Sequence, residues 1–170
     1  GAVSESWMHF EVDRISDAER LRAVERRLSD VLRDVRDAVE DWAKMREAAQ
    51  RIADELHESP PALPPEEVAD SWELLRWLID EHFTFLGYRE YELQEHDGED
   101  VLITKPGTGL GLLRGDHAES SAFSKLPPEV RAKARERQLL ILTKANSRST
   151  VHRPAYLDYI GIKTFDAQGN

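Results

Sequence analysis

The sequence predicts an α+β fold, in which a long N-terminal helix and a second helix pack with a mostly antiparallel, PAS- or GAF-like sheet. Three observations carry this. Apolar residues recur every seven positions from Leu21 to Leu56. The period then switches from helical to two at Phe83, and the apolar runs beyond it are separated by hairpin signals. Helices first, then strands joined by short turns, place the helices on one face of an antiparallel sheet.

The totals bound the rest. A chain of 170 residues is one domain, with or without an appendage. Its 40% hydrophobic and 33% charged content supports a core under a highly charged surface, and argues against disorder. It has no cysteine, which removes disulfides, thiolate nucleophiles and thiolate-bound metals. No signal peptide is recognisable, and no apolar run approaches the roughly 18 residues that span a bilayer. A cytoplasmic chain with no membrane partner is expected. The net charge of −10 also disfavours nucleic acid, whose phosphates need a basic footprint.

In chain order, Trp7 to Asp13 alternates with Met8, Phe10 and Val12 on one face. This reads as a strand, and residues 1–15 as a strand left over from a preceding module. Ser16-Asp17-Ala18-Glu19 has the capping-box pattern. Leu21, Leu28, Val35, Trp42, Ala49 and Leu56, with Val24, Val31, Ala38, Met45 and Ile52 between them, then make one heptad seam. Residues 16–58 are therefore a long helix or helical hairpin, packed on its own domain or against another subunit.

Ser59 to Pro65 holds four of the eight prolines and reads as a stiff linker, 59–65. Pro65 suits a first helical position, and Val68, Trp72, Leu75, Ile79 and His82 follow at helical spacing. From Phe83 to Leu93 a long strand is expected, then an Asp97-Gly98 turn and a strand from Val101 to Lys105. Pro106 to Gly109 turns the chain into a strand over Leu110–Arg114, and a short helix runs from Pro127 to about Arg137. The all-apolar Leu139–Leu142 reads as a central strand buried on both faces, with Tyr156–Phe165 next to it. Asp166 to Asn170 starts a turn whose partner strand lies beyond the sequence, so 66–170 is read as a PAS-like domain truncated before its last strand.

Searching for chemistry yields little. Gly107, Gly109 and Gly111 precede a strand instead of a helix, so they are turn glycines and no dinucleotide fingerprint. The six histidines are scattered without ligand spacing, and no metal site is expected. Carboxylates are abundant and lie along helices, where solvated faces explain them. Asp158, between two tyrosines of an apolar strand, reads as a partner for Arg148 or Arg153.

One stretch differs in charge. Between Arg137 and Leu157 there is no acid, while Arg137, Lys144, Arg148 and Arg153 supply four positive charges. With +4 here and −10 in total, the rest of the chain carries −14. Lys144, Asn146, Arg148, His152 and Arg153 form the candidate anion or effector site, since guanidinium forks and an amide suit carboxylate or phosphate. A loop paired with the protein's own acidic surface is the simpler alternative.

Three segments carry a family resemblance: Trp7-Met-His-Phe-Glu-Val-Asp-Arg14, Asp80-Glu-His-Phe-Thr-Phe-Leu-Gly-Tyr-Arg-Glu-Tyr91, and the string from Leu142 to Lys163. They resemble the N-terminal regulatory region of the large bacterial NAD-specific glutamate dehydrogenases, and Gly107 to Arg114 fits between them. In that family this region is built from ACT-like and PAS-like modules and helical motifs, with the dehydrogenase domain far downstream. The resemblance implies an enzyme as parent, an oxidoreductase that uses NAD on L-glutamate. It also implies a non-catalytic piece here, with no catalytic or cofactor-binding residue of its own. The partners it implies are the remainder of the same polypeptide, further copies in a homo-oligomer, and a small-molecule effector. An anion-binding sensor domain and a purely structural subunit-contact module are the alternatives.

Overall fold

The computed structural model describes residues 7–96, 99–115 and 136–165, with no account of the side chains at 95–101, 146 and 147. Two helices come first, α1 (Ala18–Glu58) and α2 (Pro65–Trp77), and a π-type turn over Leu78–His82 closes the second. Six short strands follow: β1 (Gly87–Tyr88), β2 (Tyr91–His96), β3 (Glu99–Thr104), β4 (Leu110–Gly111), β5 (Leu140–Arg148) and β6 (Tyr156–Ile162). The fold is α+β, with a long helix, a second helix and small antiparallel sheets. No helix among the described residues is long and apolar enough to cross a membrane.

α1 is a single helix of 41 residues. Its N-cap is Asp17, not Ser16: Asp17 Oδ1 accepts from the amides of Glu19 at 2.8 Å and Arg20 at 2.9 Å. The two halves of the helix differ. Its buried residues are Ala38, Asp41, Met45, Ala48, Ala49, Ala53 and Leu56, so the N-terminal half contributes none. Small side chains at 48, 49 and 53 let α2 approach. The core there joins Ala49, Ala53 and Leu56 to Leu75, Leu78, Ile79 and Leu139, with Phe83, Phe85, Ile160 and Ile162 packed against them.

The expected sheet is divided. Among the described residues, β1 pairs only with β4, β2 with β3, and β5 with β6, all antiparallel. The long strand expected from Phe83 to Leu93 breaks at Arg89–Glu90, because its two halves have different partners. At the break, the Glu90 amide donates to Thr108 Oγ1 at 3.1 Å and its carbonyl accepts from the Lys105 amide at 2.9 Å. The strand expected over Leu110–Arg114 stops at Gly111, where turns close from Leu113 N to Leu110 O and from Arg114 N to Gly111 O.

Leu139–Leu142 is not buried on both faces. Leu139 and Ile141 are in the core, whereas Leu142 is 57% exposed. With β6 as its sole described partner, β5 covers one face only. Trp7 to Asp13 forms no strand, and Met8, Phe10 and Val12 are exposed: no described strand pairs with this segment. The helix expected from Pro127 lies outside the described residues up to 135, as do the Asp97-Gly98 turn and the turn from Asp166.

Candidate functional site

The candidate residues lie on the β5–β6 hairpin, where cross-strand pairing sets their surroundings. Lys144 faces Asp158 in the register and its Nζ donates to that carboxylate. Asp158 thus pairs with Lys144, and not with Arg148 or Arg153, because a strand residue meets its direct cross-strand neighbour first. The register shifts between Lys144 and Arg148, where Arg148 is brought opposite Tyr156 with its guanidinium 5.2 Å from the ring centroid. The side chain of Asn146 lies outside the described set.

The loop beyond is tied by its own backbone. Ser149 Oγ donates to Val151 O at 2.6 Å and accepts from Val151 N at 3.2 Å, while the Ser149 amide bonds Ala155 O at 2.8 Å. His152 takes a positive φ of 65°, and both it and Arg153 are exposed. Val151 is buried, and Thr150 Oγ1 donates to Asp34 Oδ2 at 2.7 Å, which pins the loop to α1. The hairpin therefore presents Arg148, His152 and Arg153 to solvent on a fixed scaffold. Among the described residues, Lys144, Arg148, His152 and Arg153 line neither the cleft beside Glu67 and Leu142 nor the one beside Arg46 and Arg76.

The strongest electrostatic cluster lies elsewhere, between α1 and β4. Asp41 is 1% exposed, and Oδ2 accepts from the Gly111 amide at 3.0 Å and from Arg114 Nε at 2.7 Å. Its Oδ1 accepts from Lys44 at 3.0 Å. Arg114 Nη1 reaches Asp37 at 3.0 Å and Glu40 at 2.9 Å. The Arg114 hydrogen bond outweighs burial and, with those from Gly111 and Lys44, holds the Asp41 carboxyl well below the carboxylate range. The same bond raises the Arg114 guanidinium further above its usual value.

The backbone at this contact requires glycine. Gly111 has φ +60°, and a Cβ there would lie 2.3 Å from Leu86 O and 3.1 Å from Met45 Cε. The Gly111 turn is thus part of a docking contact between strand and helix, whereas Gly107 turns the chain in open space. The reading of the helical carboxylates as solvated misses Asp41. The signal available was its place three residues after Ala38 and four before Met45, on the same helix face as these two seam residues.

A second contact joins α1 to the β1–β2 corner. Glu90 Oε1 accepts from Tyr88 Oη at 2.8 Å and from Arg51 Nη2 at 3.1 Å, and Lys105 approaches Oε2 at 3.5 Å. The Tyr88 hydrogen bond draws the Glu90 carboxyl down, while burial, then Glu90, push the Tyr88 phenol up to about 12. Burial also raises Tyr91 and Tyr159, which pack together with Ile141 and Leu102. No group of three or more potential metal-binding side chains converges among the described residues. These contacts fasten strands to a helix; they place no nucleophile beside a base.

Among proteins of known name, the chain is similar over 97% of its length, at 37% identity, to NAD-specific glutamate dehydrogenases of Halomonas elongata and Pseudomonas aeruginosa. The protein of that name from Mycobacterium tuberculosis is 26% identical over 96% of the chain. The chain spans only about a tenth of each relative, 10% of the first two and 9% of the third. No family model matches it, and no solved structure does.

Proposed function

We infer that this chain, which is related to one segment of the large NAD-specific glutamate dehydrogenases, is a non-catalytic regulatory and oligomer-organising segment of such an enzyme. The parent would oxidise L-glutamate with NAD and water to 2-oxoglutarate, ammonium and NADH. In this reading 16–58 is the organising helix, 59–65 its linker and 66–170 a PAS-like module, in a cytoplasmic oligomer.

The observation that carries the reading is an apolar stripe on α1 that stays largely exposed among the described residues, with only Arg46 lying over Trp42 at its end. Leu28, Leu32, Val35, Val39 and Trp42 lie alternately four and three residues apart, and Leu21 continues the line seven residues before Leu28. All six are exposed, Val39 by 71%. At 3.6 residues per turn this stripe is roughly 110° round the helix from the face that buries Ala38, Asp41 and Met45. Helical seams of this period are completed by a helix of the same period. A second copy of α1 supplies one, so we take the partner to be a second copy of this chain.

The test is made in the intact enzyme. Replacing Leu28, Leu32 and Val35 together by Ser should change its subunit assembly on size-exclusion chromatography. NADH formation from glutamate by this chain alone would overturn the reading.

A further inference from the structure

We propose that the cleft between α1 and the end of α2 binds a small metabolite bearing oxyanion groups, a phosphate or a pair of carboxylates, with Arg46 and Arg76 as its clamp. The cleft has a volume of about 390 Å³ and is lined by Arg46, Gln50, Arg76, Trp77, Ile79 and Asp80. That volume lies within the range of small-molecule sites.

Two arginines line this cleft, and each is stacked on a tryptophan ring. Arg46 lies over the Trp42 ring with its Cζ 5.6 Å from the centroid, and Arg76 lies over Trp72 at the same 5.6 Å. Arg46 Nε donates to Ile79 O at 3.2 Å. Neither arginine forms an ion pair among the described residues, although carboxylates engage Arg33, Arg51 and Arg114 elsewhere. A guanidinium carries five N–H donors, so four on Arg46 and five on Arg76 are left for a ligand. Stacking lowers the rotamer freedom that an anion would otherwise have to freeze, which favours bidentate recognition.

The local backbone makes the arrangement. The helix ends in a π-type turn at Leu78–His82, with Glu81 at φ 60°. That turn frees the Ile79 carbonyl for Arg46 and folds His82 back onto Trp77, ring centroids 4.9 Å apart and 18° from parallel. Trp77 is 50% exposed and offers a flat apolar wall for the carbon part of the ligand. Asp80 lines the same cleft without reaching either guanidinium, and its negative charge works against anion binding, so both arginines are needed to outweigh it.

This site meets the organising stripe only at Trp42, on which Arg46 stacks, and neither Leu28, Leu32 and Val35 nor the β5–β6 hairpin residues line it, so either can fail without the other. The test is calorimetric titration of the chain with pyrophosphate and with citrate, at matched ionic strength and with choline chloride as the control. At least one of the two should bind, and Arg46→Gln with Arg76→Gln should weaken it by at least tenfold. Arg76→Gln alone changes an exposed residue and should give a partial loss with an unchanged melting temperature. Arg148→Gln with Arg153→Gln should bind as the unmodified chain does. Pyrophosphate alone would mark a phosphate ligand, and citrate alone a polycarboxylate. Binding of neither, binding indifferent to Arg46 and Arg76, or binding lost with the hairpin arginines would each overturn the proposal.

Discussion

Arg114 Nε donates to Asp41 Oδ2 at 2.7 Å, across 73 positions of sequence, and joins the turn after β4 to the buried side of α1. Asp41 is in the core while Arg114 is 36% exposed, so the two are not equivalent. Removing the arginine leaves a buried carboxylate held by Lys44 and one amide. Loss of one partner from a fully buried pair costs about 3–5 kcal/mol, and the partial exposure of Arg114 puts Arg114→Ala below that range, at about 2–3 kcal/mol. Urea denaturation measures it; an effect below about 0.5 kcal/mol would mean that Lys44 and the Gly111 amide suffice.

Acid should act through the same carboxylate. The Asp41 value in the folded chain lies below that of the unfolded chain, about 3.9, so the unfolded chain takes up the proton first. The stabilisation is complete above that pH and is lost as pH falls below about 4 toward the folded value. Melting temperatures between pH 5 and 2 should fall steeply for the native sequence and less steeply for Asp41→Asn. Parallel slopes would exclude Asp41 as the titrating group.

The alkaline side has the opposite sign. Tyr88 is raised to about 12 by burial and by Glu90, so its contribution is complete below about pH 10 and lost between roughly pH 10 and 12. Tyr88→Phe should flatten the fall in melting temperature across that window. The burial of Tyr159 adds a second contribution of the same sign, which Tyr88→Phe leaves in place.

Gly111 and Gly107 make a matched pair. Both have positive φ, +60° and +77°, but a Cβ at Gly107 meets nothing within 4 Å. Gly107→Ala should cost about 1–2 kcal/mol for the left-handed backbone alone. Gly111→Ala adds the collision with Leu86 O and should cost at least about 1 kcal/mol more. Equal losses in denaturant would show that β4 can move away from α1.

The seven-residue repeat made the length of α1 legible, because eleven seam positions in one register leave few alternatives. Periodicity does not say which side of the seam meets the core. Ala38, Met45, Ala49 and Leu56 pack inward, while Leu21, Leu28, Val35 and Trp42, equally regular, face outward. The basic hairpin was legible as a hairpin from Leu139 to Phe165, and its charge pointed to an anion site. The side-chain partners were not legible: Lys144 is answered by Asp158 through register, which the string of residues does not reveal. The Asp41–Arg114 pair and the Arg46–Arg76 cleft escape for a related reason. Each joins residues 30 or more positions apart, and only the packing of β4 or α2 on α1 brings them together.

The outward seam is where the account is most exposed to test. Sedimentation equilibrium of the chain, over a hundredfold range of concentration, should show a monomer–dimer equilibrium. The Leu28→Ser, Leu32→Ser, Val35→Ser variant should stay monomeric with its melting temperature changed little, since these side chains are outside the core. A chain that remains monomeric at the highest concentration, or a variant that dimerises as well as the native sequence, would contradict the organising role assigned to α1.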